Sequence, residues 1–234
     1  MDPHMIRYRF EMDDGTRAQF DIVLDPVTFQ LPDPGPDYPE WAALDFHQCP
    51  HCPLGQQEGV PCPAAAQLAR LVTFFDHLPS HAGARVEVST QERTVVQRTT
   101  VQRGVSALMG LIMATSGCPI TTFFRPMARF HLPFANAEET TYRAVSTYLL
   151  AQYFRKRRGE PADLELEGLT TLYEDMHRLN RAFAKRLRGA RGTDSSVNAV
   201  ILLDVLAGAL TSESEDRLPA LEASFRPYLE ASRG

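Results

Sequence analysis

Cys49, Cys52, Cys62 and Cys118 are all the cysteines in this chain, and a proline follows each of them. A Cys-x-x-Cys pair, a third thiol soon after and a fourth far downstream is a ligand pattern for a four-thiolate metal or iron–sulfur site that staples two segments. Proline drives the residue before it towards extended backbone, which suits a stiff cage. It also deletes the next N–H, so any N–H donor to the sulfur must come from further along the chain. In a reducing compartment such a pair is more often a metal or redox site than a structural disulfide.

Several occupants fit this set. Cys49-Pro50-His51-Cys52 looks like half of a zinc ribbon, but Pro53 stands where the knuckle wants glycine and no second Cys-x-x-Cys follows. The pattern therefore disfavours a regular ribbon, and a 4Fe–4S cluster on Cys49, Cys52, Cys62 and Cys118 is the leading expectation. A less regular four-cysteine zinc site and four separate reduced thiols are the alternatives. Four thiolates around a 2+ centre leave about −2 to be offset. Arg125 and Arg129, soon after Cys118, are candidates for that task, and His47 and His51 for donors or substitute ligands. His131 belongs with these two arginines among Phe123, Phe124, Phe130 and Phe134, as an aromatic wall over the metal or a small-molecule pocket.

Three functions follow from these residues. The leading one is a redox- or gas-responsive sensor or regulatory binding module, because the ligand set is complete and recognisable catalytic motifs are lacking. Gly-x-Gly-x-x-Gly, Walker A and Gly-x-Ser-x-Gly patterns are absent, and the single Glu174-x-x-His177 falls short of the pair that a di-iron bundle needs. The second is an enzyme whose pocket beside the cluster uses Arg129, His131, Glu139 and Tyr142. The third is a structural zinc in a protein-interaction domain.

Composition narrows the partners. A net charge of −5 argues against general nucleic-acid affinity. The one basic run, Arg155-Lys156-Arg157-Arg158, precedes Gly159, where cations complement the end of a helix. No apolar run reaches the length of a membrane span. The start, MDPHMIRYRF, lacks a signal-peptide core, so the cytoplasm is expected. Residues 1–4 read as an expression remnant, with 5–234 as one domain. The protein partner or small ligand and the oligomeric state cannot be read from these residues.

The elements that must carry the site follow from periodicity. Ile6, Tyr8 and Phe10, then Phe20, Ile22 and Leu24 across Asp13-Asp14-Gly15, alternate as a hairpin. Val86 and Val88, then Val95 and Val96, predict a second. Between them lie a proline-rich loop and a helix over 64–78 that starts just after Cys62. Val105, Leu108, Met109, Ile112 and Met113 make a helical stripe that Gly117 ends, delivering Cys118. Residues 120–135 read as irregular. Helices are expected from Asn136 to Arg158, along the Leu169–Leu187 stripe, from Asp194 or Ser195 to Leu210, and over 216–231. The fold class is α+β: a small antiparallel sheet of two hairpins with a cysteine-rich loop over 5–135, then a helical part over 136–234.

Three stretches also resemble an uncharacterised bacterial family, a domain of unknown function. They are Leu44 to Pro50 with His51 to Leu54 (LDFHQCPHCPL), Leu108 to Pro119 (LMGLIMATSGCP), and Arg125 to Ala135 (RPMARFHLPFA). Tyr142 to Phe154 shares the likeness. The resemblance implies one family along nearly the whole chain and carries no activity, substrate or cofactor.

Overall fold

The computed structural model describes residues 4–75, 77–190, 194–211 and 214–231. Most of the stretch read as an expression remnant, residues 1–3, lies outside these. The fold is α+β, with an antiparallel sheet near the N-terminus and a mainly helical C-terminal half.

Strands β1 (His4–Met12) and β2 (Arg17–Leu24) form the first hairpin, β3 (Gly83–Ser89) and β4 (Thr94–Thr100) the second. They join as one four-stranded sheet in the order β2-β1-β3-β4. The alternation seen in the sequence is the alternation of burial: Ile6, Tyr8, Phe10 and Met12 in β1, and Phe20, Ile22 and Leu24 in β2, face inward. The opposite face sets Arg7 across from Asp21, Glu11 across from Arg17 and Arg9 across from Glu87. Each of these pairs closes an ion pair, at 2.7, 2.7 and 3.0 Å. Opposite charges directly across strands reward this register and penalise a slipped one. Strand β4 is an edge and buries none of its side chains fully.

Helices α1 (Pro63–Phe75) and α2 (Val101–Thr115) cover the inner face. Phe75 packs edge-on to Phe10, ring centres 4.9 Å apart, and stacks with Phe20 at 5.8 Å. Helix α2 approaches the sheet through Gly104, where a Cβ would meet Phe10 at 2.7 Å and Val86 at 2.9 Å. Gly104→Ala is expected to destabilise the protein by about 1–3 kcal/mol through overpacking, although alanine is the better helix former. A thermal melt at or above that of the unsubstituted protein would refute this contact.

Residues 120–135, expected to be irregular, contain helix. A 3-10 turn, Pro119–Phe124, is followed by the short α3 (Arg125–Arg129), each with proline in its first turn. Proline's fixed φ suits a helix start, so the prolines that broke the sequence pattern begin these pieces. Helix α4 (Ala137–Arg157) opens with the expected capping box, Asn136 and Glu139 bonding reciprocally at 2.9 and 2.8 Å. Helices α5 (Glu167–Gly189), α6 (Asp194–Thr211) and α7 (Ser214–Ala231) follow. The chain falls into two compact units. Unit 1 comprises residues 1–134 and 178–204, and unit 2 comprises 135–177 and 205–234. In unit 1 the Asn198 amide donates to the Ser80 hydroxyl at 3.2 Å, which accounts for a polar residue in the apolar α6. No single helix among the described residues is long and apolar enough to cross a membrane.

Candidate metal centre

Three short segments converge in unit 1. The first is the turn at Cys49-Pro50-His51-Cys52, closed by the Cys52 N–H donating to the Cys49 carbonyl at 3.0 Å. Gln48 pins the loop by donating to the Gly55 carbonyl at 2.5 Å.

The second segment is the start of α1. The Cys62 N–H donates to the Ala42 carbonyl at 2.8 Å and the Leu44 N–H to the Val60 carbonyl at 2.9 Å, so 42–44 and 60–62 run antiparallel. The Cys62 carbonyl then accepts the Ala66 N–H at 2.9 Å as the first bond of the helix. Pro63 in the first helical position makes this a favourable helix start, and the thiol stands at the end of the helix where N–H groups are free.

The third segment leaves α2. Gly117 ends that helix at φ +88°, and a Cβ there would strike Gln30 at 2.5 Å, so only glycine lets the chain turn here. Cys118 follows with extended backbone, φ −63° and ψ 125°. Its segment is tied back by the Thr121 hydroxyl, 2.6 Å from the Met113 carbonyl.

The four thiols line one cavity of about 20 Å³, which opens into about 360 Å³ counted with the solvent at its mouth. Cys62 and Cys118 are buried, whereas Cys49 and Cys52 are half-buried. The wall is otherwise largely apolar: Leu44, Leu54, Ile120, Leu179 and Phe183 contribute, together with Arg186. Burial raises the Cys49 thiol pKa to about 12, with Cys62, Cys118 and Cys52 adding to the rise and Arg186 opposing it. Burial also raises Cys118, while the N–H groups of Ile120 and Thr121 pull it down. These donors lie two and three residues past Cys118, beyond the N–H that Pro119 lacks. In a dry pocket the charged thiolate is the form that suffers. A metal reverses this by displacing the protons and neutralising the charge it creates.

Arg186 is the residue that sequence reasoning missed. It is 2% exposed. Its guanidinium donates to the carbonyls of Trp41, Ala43 and Leu44 at 2.8, 2.5 and 3.1 Å. No carboxylate among the described residues forms an ion pair with it. A buried cation bonded only to neutral carbonyls is costly unless an anion lies nearby, and the neighbouring groups able to become anionic are the thiols. A signal was present in the sequence: Arg186 shares the α5 stripe of Leu179, Phe183 and Leu187, an arginine on an apolar helix face.

The other residues singled out from the sequence lie elsewhere. The His47 ring packs edge-on to Phe46 at 4.9 Å. It also lies against Gly189, where a Cβ would meet Nε2 at 2.7 Å. His51 sits in the Cys-x-x-Cys turn without lining the cavity. Arg125 does not line it either, and its buried Nε has no hydrogen-bond partner. Arg129 lies over the Phe29 ring, 4.4 Å from its centre. His131 Nε2 is 2.5 Å from the hydroxyl of Tyr8, a fully buried tyrosine. None of Phe123, Phe124, Phe130 and Phe134 is in the wall, whose aromatic is Phe183. Glu139 is engaged in the capping box and Tyr142 stacks on Phe225 within unit 2. Among the described residues no three His, Cys, Asp or Glu side chains are arranged to hold one metal ion.

Fold and site together define an α+β protein with a four-cysteine cavity lined by a buried arginine that no carboxylate among the described residues pairs. The chain belongs to the family described as domain of unknown function (DUF6901), whose model matches residues 6–226. No curated protein and no solved structure matches the chain.

Proposed function

We propose that this protein carries a 4Fe–4S cluster on Cys49, Cys52, Cys62 and Cys118 and works as a redox- or gas-responsive sensor or regulatory module in a reducing compartment such as the cytoplasm. The reading rests on one observation: four thiols from three segments share an apolar cavity with a buried cation that no carboxylate among the described residues pairs. Thiolates on a metal supply the negative charge that neutral thiols do not. Zinc is the alternative occupant. A single tetrahedral zinc needs every sulfur about 2.3 Å from one point. A cluster asks less convergence of the thiols, because each sulfur binds a different metal atom of a wider cage. The half-buried Cys49 and Cys52 would leave one edge of the cluster open to small oxidants and gases, as a sensor requires.

The test is anaerobic purification, followed by an absorption spectrum and counts of iron, sulfide and zinc on one sample. A broad band near ~400 nm with about four iron per chain is the expected result. Colourless protein with one zinc would leave a structural site and remove the sensor. Protein without bound metal, even after anaerobic reconstitution, would remove both.

A further inference from the structure

The part of α5 that belongs to unit 1, from Arg178 onward, has two faces of opposite character. Leu179, Phe183, Arg186 and Leu187 are buried on one side. Arg178, Arg181, Lys185 and Arg188 are exposed on the other. Their steps of three, four and three residues keep the four cations on one stripe, about 15 Å long at the rise of an α-helix. No Asp or Glu stands between Asp175 and Asp194, so no acidic residue interrupts it.

Among the described residues Arg181, Lys185 and Arg188 form no ion pair. Like charges at such spacings destabilise a helix. The helix dipole rewards cations in the last turn, which accounts for Arg188 and not for Arg178, Arg181 or Lys185. The net charge of −5 thus conceals a strongly positive face.

The side chains on this face select the partner. From Arg178 to Gly189 the exposed residues are the four cations and Gly189 itself. A helix lying on a membrane inserts Trp, Phe or Leu. A protein interface is anchored by aromatic or aliphatic side chains, and single-stranded nucleic acid stacks its bases on aromatic rings. The face offers none of these. Duplex RNA is bound largely through 2′-hydroxyl contacts, and the face has no exposed amide or hydroxyl side chain to make them. A row of fixed cations, three of them arginine, matches phosphate oxygens.

We propose that the exposed face of α5 binds the phosphate backbone of double-stranded DNA without reading its sequence. Each strand carries one phosphate per about 3.4 Å of helix axis, so the stripe spans about four phosphates. The proposal does not depend on what the cysteines hold, and its failure leaves that reading untouched.

The experiment is fluorescence anisotropy of a labelled, mixed-sequence DNA duplex, titrated with the full chain over a series of salt concentrations. Saturable binding is expected, with log affinity falling against log salt at a slope of roughly −3 to −4, as four neutralised phosphates dictate. Arg181→Gln and Lys185→Gln each make the slope shallower by about one, and together they weaken binding at least about tenfold at low salt. Arg157→Gln, which removes an exposed cation of α4, leaves slope and affinity unchanged. All three positions are exposed, so unchanged circular dichroism separates lost binding from lost folding. Four results would each overturn the proposal: no saturable binding at about 50 mM salt, a slope indifferent to the α5 variants, equal weakening by Arg157→Gln, or tighter binding to duplex RNA or phosphatidylserine vesicles than to the DNA.

Discussion

Arg186→Met is expected to lower the thermal midpoint of the protein by roughly 10 °C and to strip most of the proposed metal from it. The guanidinium holds three carbonyls, those of Trp41, Ala43 and Leu44, in the segment that leads into Cys49 and Cys52. Methionine fills much of the same volume and donates no hydrogen bond. The carbonyls would be left buried without partners, at about 1–3 kcal/mol each for full loss. Removing one member of a buried charged network costs about 3–5 kcal/mol. For a chain of this size about 1 kcal/mol moves the midpoint by roughly 2–4 °C. Arg186→Lys is expected to recover little, because one ammonium cannot span three carbonyls fixed by a planar fork. Thermal denaturation and metal counting on the same samples decide the matter. Wild-type stability with full metal content in Arg186→Met would mean that the guanidinium neither anchors the segment nor offsets the site.

Cys118→Ala is expected to abolish stable metal binding, leaving about a tenth or less of the wild-type content. Of the four proposed ligands Cys118 lies furthest along the chain, and through it a metal would join the end of α2 to the start of α1 and the Cys-x-x-Cys turn. Without it, three thiols remain on segments already tied to one another through the bonds at Ala42 and Leu44. In a site of this kind binding free energy is also folding free energy, so the midpoint should fall with the metal. The sheet should persist, because its core of Phe10, Phe20 and Phe75 lies away from the cavity wall. Far-ultraviolet circular dichroism should therefore change little while the metal band disappears. Full metal content and an unchanged spectrum in Cys118→Ala would sink the four-ligand assignment.

Proline and glycine in the sequence placed Cys62 at a helix start and Cys118 just past a helix end, for local reasons. Pro63 and Gly117 act within a few residues of Cys62 and Cys118, so a helix start and a helix stop could be read beside each. Arg125, Arg129, His47, His51 and His131 stand near the thiols in sequence and have fitting chemistry. The structure engages Arg129 with Phe29, His131 with Tyr8, and His47 with Phe46 and Gly189. Nearness along the chain says little about nearness in space once tight helical turns such as Pro119–Phe124 and Arg125–Arg129 redirect the side chains.

Both hairpins, the main helices with small shifts at their ends, the capping box at Asn136 and the set of thiols are legible in the residues alone. All of these are written in periods of two and of about 3.6 residues or in turn chemistry, which act over short spans. Tertiary structure alone decided that β1 pairs with β3 to merge the hairpins into one sheet, and that residues 178–204 return to the unit that holds the cysteines. It also decided that the buried cation beside the thiols comes from α5, more than sixty residues beyond Cys118. Such contacts depend on which apolar faces cover one another. A single chain's periodicity reveals that a face is apolar, and packing selects its partner.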